Sequence, residues 1–202
     1  VDTAVLGHMG SSHYLAGAAI ASLILTQTYW LCGFIRMSST GLSAQAKGEQ
    51  NNEYKSRVFW QSCSVALVIG LAIWAAQTPL LTLGIHFAQP EAQLLNVIQQ
   101  YFSVRITGAP AALLNLAIIG WLIGQQKTKQ VLYIQIFANL LNAGLSILLV
   151  FVFDAGVKGV ATASVAAEYS ISILGVWVAV RGMGLQKPHW GLWRWSSLAQ
   201  LI

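Results

Sequence analysis

Five long apolar stretches, at about 14–44, 58–77, 92–124, 131–153 and 158–180, take up most of the chain. Each holds about 20 residues or more, which at a helical rise of about 1.5 Å per residue crosses a hydrocarbon core of about 30 Å. A shorter apolar piece, 1–8, precedes them and reads as the end of one further helix, with more chain expected upstream. The breaks between stretches are short and polar: "AKGEQNNEYKSR", "AQPEAQ", "GQQKTKQ" and "FDAGVKG". In "AQPEAQ", Pro90 is expected at the first helical position with Glu91 in the first turn. In "FDAGVKG", Gly156 and Gly159 are expected to give a tight turn its backbone freedom. Strict two-residue alternation in ten-residue units is absent, which argues against a transmembrane barrel. The pattern predicts an all-α membrane protein, a polytopic transmembrane helix bundle over 1–180. A cytoplasmic or interfacial link follows at 181–202.

Basic residues orient the bundle. Lys47, Lys55, Arg57, Lys127, Lys129, Arg181, Lys187 and Arg194 fall in one alternate set of connections, and Lys158 alone in the other. The first set is expected on the cytoplasmic side. The tail "KPHWGLWRW", with Trp190, Trp193, Trp195 and Arg194, suits a helix lying in the membrane interface. Composition agrees with burial in lipid: 56% of the 202 residues are hydrophobic and 8% are charged. Soluble domains carry about 25% charged residues. The net charge of +5 is dispersed over short clusters and forms no basic stripe, so no nucleic-acid partner is expected. Cys32 and Cys63 stand alone in apolar stretches and read as small buried hydrophobes. His8, His13 and His86 sit near loops and read as surface or capping groups, and Arg36 lies near a helix end from which it can snorkel.

A charge in hydrocarbon is costly and faces the protein interior, so depth decides which polar groups can meet. Asp2 lies about 9 Å inside the outer end of its helix, Ser146 about 10 Å and Ser164 about 9 Å inside theirs, and Asn142 about 16 Å. Asn139, Asn142 and Ser146 follow one another at three and four residues and stack on one helical side. Serine and asparagine at such depths often only join helices. An isolated carboxylate such as Asp2 is a functional candidate. Glu168 and Arg105 both fall at about 15 Å, near the midplane, and are expected to form a buried pair, with a gating or relay role as the sharper alternative. No Gly-rich phosphate loop with a following Lys, no HExxH and no Ser-His-Asp trio at one depth appears, so the chain reads as a non-enzyme without an ATP motor.

The stretches "VDTAVLGHMG", "RMSSTGLSAQAKGEQNN" and "NLLNAGLSILLVF" followed by "GVKGVATASVAAEY" resemble the multidrug and toxic compound extrusion (MATE) family, most of all its bacterial DinF-like branch. The resemblance runs over nearly the whole chain in the family's order. It implies twelve helices in two six-helix bundles, of which this chain would supply the first from the end of helix one, with the second six-helix bundle absent. It implies export of small lipophilic or cationic compounds across the bacterial inner membrane, driven by a proton or sodium gradient and without a cofactor. Membrane lipid is the remaining expected partner.

The resemblance places the family's ion-coupling acid at Asp2, its asparagine at Asn142 and its helix-six hydroxyl at Ser164. Where many members carry a second acid, this chain has Ser146. A buried carboxylate binds a proton readily, whereas sodium prefers several oxygen ligands and compensating charge. Proton coupling through Asp2 is therefore expected, and a sodium-coupled antiporter is the alternative. A lipid-linked saccharide flippase of a related fold, which would call for basic cavity walls, and a non-transporting scaffold or channel half are the remaining readings.

Overall fold

The computed structural model describes residues 2–7, 12–182 and 184–185, with the side chains of Asp2 and Ser12 left aside. The described residues are helical between short turns: α1 (Asp2–Gly7), α2 (Ser12–Leu31), α3 (Phe34–Gly48), α4 (Asn52–Ala75), α5 (Gln77–Ala88), α6 (Leu95–Arg105), α7 (Ala109–Gly124), α8 (Thr128–Ile147) and α9 (Gly156–Gly182). Five runs are long and apolar enough to cross a membrane: His13–Gly48, Asn52–Ala75, Ala92–Gly124, Thr128–Val152 and Gly156–Gly182. The chain is thus an all-α bundle with candidate membrane spans, as its hydrophobic pattern predicts. The tail with Trp190, Trp193, Arg194 and Trp195, together with Lys187 and His8, lies outside the described residues.

Details at the span ends differ from expectation. Pro90 does not open a helix: the next helical residues are the 3-10 turn Ala92–Leu94, and Gln89 before Pro90 is left-handed at φ 42°. Proline disfavours helix for the residue before it, which fixes the stop there. Gly156 has φ 56° and makes the turn, but Gly159 is already inside α9. A Cβ on Gly159 would stand 3.1 Å from the Leu149 Cβ, so Gly159 permits close helix approach rather than turning. The short α5 was not legible as a separate helix. It has no buried residue and lies directly after α4.

Two spans are broken in mid-course. The first bends between α2 and α3 at Cys32 and Gly33. The third breaks at the 3-10 turn Ile106–Gly108 between α6 and α7. Pro110 explains the second break, because it has no N–H to give the Ile106 carbonyl four residues back. The Ala109 N–H bonds that carbonyl instead, closing a tighter turn.

The core divides at these breaks. At the basic end, α7 packs most closely against α3 and α4. Gly120 and Gly124 make this possible: a Cβ on Gly120 would come 2.6 Å from the Arg36 carbonyl oxygen, and one on Gly124 would meet the Thr40 carbonyl. They form a G-x-x-x-G pair, the spacing that lets helix backbones touch in membranes. Polar bonds then seal the seam. The Ser43 hydroxyl donates to the Trp121 carbonyl at 2.8 Å, and Gln125 Nε2 donates to Ser43 Oγ at 3.0 Å. Lys47 Nζ donates to Gln126 Oε1 at 2.7 Å, and Trp121 Nε1 to the Lys55 carbonyl at 3.3 Å. At the opposite end α6 packs against α2 and α9, α8 packs against α9, and α1 touches α2, α8 and α9.

Candidate functional site

At that opposite end the bundle holds a cavity of about 400 Å³. Its walls come from Thr3 of α1, Ser22 of α2, Arg105 of α6, Asn139 and Asn142 of α8, and Ser164 and Glu168 of α9. Ala138, Ala167 and Ile171 fill the gaps between them. Polar groups predominate in this lining, and such groups inside a membrane mark pathways and sites. A second cavity of about 340 Å³ shares Thr3 and Ser22 and continues along Leu6, Leu15, Ala18 and Tyr101. A polar chamber therefore opens beside an apolar one.

The site is assembled by helical spacing. Ser164, Glu168 and Ser172 succeed one another at four residues on α9 and share one face. On α8 the buried stripe runs through Ala138, Asn142 and Ser146 and continues to Val150 in the π turn Leu148–Val152, with Asn139 one position round and exposed. Asn142 Nδ2 donates to Ser164 Oγ at 2.8 Å and ties the two helices together. Equal depth grouped Ser164 with Ser146, and the hydrogen bond to Ser164 comes from Asn142, one helical turn before Ser146. Ser146 is fully buried beyond the cavity wall, and its hydroxyl has no hydrogen-bond partner among the described residues. Two features shift the level: α9 starts at Gly156, earlier than the 158 expected, and α8 ends in the wider π turn Leu148–Val152. A π turn places more residues in each turn than an α-helix does, so counting at a fixed rise misplaces the levels.

Arg105 and Glu168 are in contact. Arg105 Nη1 donates to Glu168 Oε1 at 2.9 Å, and their side chains are 17% and 18% exposed. The third span's break prepares this contact. Arg105 is the last residue of α6, and Gly108 leaves the room that the Glu168 carboxylate occupies, since a Cβ there would collide with Oε2. Further bonds clamp α9 to the broken span. Tyr169 Oη donates to the Thr107 carbonyl at 3.1 Å, Asn115 Nδ2 to the Glu168 carbonyl at 3.0 Å, and Ser172 Oγ to Asn115 Oδ1 at 2.8 Å. Asn115, Tyr169 and Gly108 escaped sequence reading. Pro110 inside an apolar helical run was the available signal for the break that gathers them. Asp2 is the first residue of α1, and its side chain lies outside the described residues.

This architecture is shared with known proteins. The MatE family model matches residues 1–148. DNA damage-inducible protein F of Escherichia coli (strain K12) is 36% identical over 176 residues, covering 87% of this chain and 38% of its own length. Multidrug and toxin extrusion protein 1 of Homo sapiens is 24% identical over 208 residues, covering 100% of this chain and 36% of its own. The chain therefore spans well under half the length of these relatives. Among solved structures, the outward-facing conformation of a multidrug resistance MATE family transporter of the MOP superfamily superposes with a TM-score of 0.87. It is 15% identical, with 99% of this chain and 45% of that one covered. That likeness concerns the fold, while the family model and the bacterial relative speak for ancestry: the chain belongs to the MatE family.

Proposed function

We propose that the full-length protein carrying this chain is a secondary exporter of small lipophilic or cationic compounds across the bacterial inner membrane, exchanging them for protons. The observation that carries this reading is the polar cavity at one end of an apolar bundle, with an apolar chamber beside it. A gradient-driven exporter needs a compartment that holds an amphiphile and an ion-binding group within reach of one another. The names of the relatives, which include a multidrug and toxin extrusion protein, point the same way. Asp2 is the proposed proton carrier. Helical spacing puts it on the same face of α1 as Val5 and Leu6, which are buried, and its neighbour Thr3 lines the cavity. Asn139, Asn142, Ser146 and Ser164 supply neutral oxygens only, which suits a proton better than a sodium ion that prefers charge compensation. Loss and gain of the Asp2 proton would change how α1 packs against α2, α8 and α9.

The test is dye efflux from vesicles containing the full-length protein, under an imposed pH gradient and, separately, a sodium gradient. Asp2→Asn keeps size and hydrogen bonding but cannot ionise. It should insert normally and lose proton-driven efflux, and Asp2→Glu should keep part of it. Full transport by Asp2→Asn would remove Asp2 from the mechanism. Efflux driven by sodium alone would establish the alternative coupling.

A further inference from the structure

Three joints border the junction of two apolar cores. In the first span the N–H groups of Cys32 and Gly33 reach back three residues, to the carbonyls of Tyr29 and Trp30, where an α-helix would reach back four. The third span has the 3-10 turn Ile106–Gly108, and α4 gives way to α5 through a turn at Ala76. The outer core holds Ile98, Phe102, Ile106 and Ala109, and the next core inward holds Cys32, Ile35, Leu113 and Ala117. Tyr29 and Ile73, each about one turn from a joint, pack against both. On either side of the joints the helices are locked together. Outward, a Cβ on Gly17 would stand 2.6 Å from Val97 Cγ1, so α2 lies tight on α6, and one on Gly84 would collide with the Ile24 side chain, so α5 lies tight on α2. Inward, Gly120 and Gly124 lock α7 to α3, and a Cβ on Gly70 would stand 2.6 Å from Pro110 Cα, which locks α4 to α7. Close-packed units of this kind move as bodies while a few residues between them absorb the change, and 3-10 turns within a helix often mark such hinges. The Tyr29 hydroxyl adds an independent sign. It is buried with no hydrogen-bond partner among the described residues, a condition that costs stability. The phenol lies within electrostatic reach of Arg105 and Glu168. A guanidinium offers no acceptor, so the carboxylate of Glu168 is the acceptor at hand, and each of its oxygens can accept more than one bond.

We propose that α2, α5 and α6 tilt as one body on α3, α4 and α7, pivoting at Cys32–Gly33, Ala76 and Ile106–Gly108, and that Tyr29 donates to the Glu168 carboxylate in the tilted form. The bonds from Asn115 to the Glu168 carbonyl and from Ser172 to Asn115 lie inward of Ile106–Gly108 and tie α9 to α7, so the pivot keeps its place while the outer body moves. Because α2 and α6 carry Ser22 and Arg105 to the cavity wall, the tilt resizes the cavity. Tyr29 acts as a latch: its hydroxyl gains a bond in one form and lacks it in the other. The tilt requires no particular ion or compound, so it stands apart from the coupling through Asp2.

The experiment uses the full-length protein in lipid nanodiscs, with its native cysteines replaced by alanine and pairs of spin labels at exposed positions. Leu23 and Leu83 both sit on the outer body, Met37 and Leu67 both on the inner one, and Leu83 with Met37 crosses the joints. Distances read by double electron–electron resonance should show one value for each pair within a body and two for the crossing pair. Tyr29→Phe removes the bond of the tilted form and should change the ratio of the two crossing distances roughly tenfold, the worth of one buried hydrogen bond. Pro110→Ala supplies the missing N–H to the Ile106 carbonyl, stiffens the third span and should narrow the crossing pair toward one distance. A crossing pair as narrow as the other two and unmoved by both substitutions overturns the proposal. So does a spread shared by all three pairs, because the bundle then deforms throughout and not at the joints. A ratio of crossing distances that ignores Tyr29→Phe overturns it as well.

Discussion

Where α7 meets α3, Gly120 and Gly124 remove the side chains that would hold the helices apart, and Ser43, Gln125 and Lys47 bond across the seam. Where α8 and α9 meet α1 and α6, the Asn142–Ser164 and Arg105–Glu168 bonds join the helices but polar side chains still line a cavity of about 400 Å³. Both halves use the same apolar residues in the same kind of helix. The difference lies in a few positions: at the seam small residues let the backbones touch and the polar side chains bond across it, while at the other end the polar side chains of α8 and α9 line a cavity. The break at Ile106–Gly108 sits on the boundary, so one span serves as core in one half and as cavity wall in the other. A bundle divided in this way can keep one end rigid while the other end rearranges around a ligand.

Five measurements break or sharpen this contrast, the largest effect first. Removing one member of the Arg105–Glu168 pair leaves a buried charge uncompensated, so Arg105→Gln or Glu168→Gln alone should cost about 3 kcal/mol. The double variant should regain most of that loss, and thermal unfolding in detergent that shows additive losses would mean the two charges are not coupled. In the dry seam, Gly120→Val forces a branched side chain against the Arg36 backbone and should cost about 2 kcal/mol. Gly144→Ala on α8, where a Cβ would meet nothing within 4 Å, should be neutral or slightly stabilising. Equal responses of these two glycines in the same unfolding assay would erase the distinction between the halves.

Ser43→Ala removes a hydroxyl that both donates to Trp121 and accepts from Gln125, and should cost about 1 kcal/mol. Ser164→Ala breaks the bond from Asn142 in the open half and should cost at least about 0.6 kcal/mol, the average for such a bond in membranes. Among the serines the smallest effect belongs to Ser146→Ala, whose hydroxyl has no partner among the described residues, and it should stay within about 0.5 kcal/mol of wild type. If Ser146→Ala abolishes efflux while leaving stability unchanged, Ser146 is part of the ion path in a conformation other than this one.

The amino-acid sequence by itself determined the number and extent of the membrane-crossing runs. Hydrocarbon admits only helices whose length matches its thickness, and this constraint is local and one-dimensional. It also placed Arg105 and Glu168 at one level, because two opposite charges in an apolar bundle have few other places to go. The structure has them 2.9 Å apart. A G-x-x-x-G pair at Gly120 and Gly124, and Pro110 within a helical run, were equally visible in the letters and mark the seam and the break. Only the tertiary structure decided that Asn142, not Ser146, meets Ser164, because helix starts and a terminal π turn shift levels by a whole turn. Likewise, only packing decided which end closes and which holds the cavity. Every helix here is apolar on most sides, so its sequence fixes how deep a residue lies but leaves open which neighbour it faces.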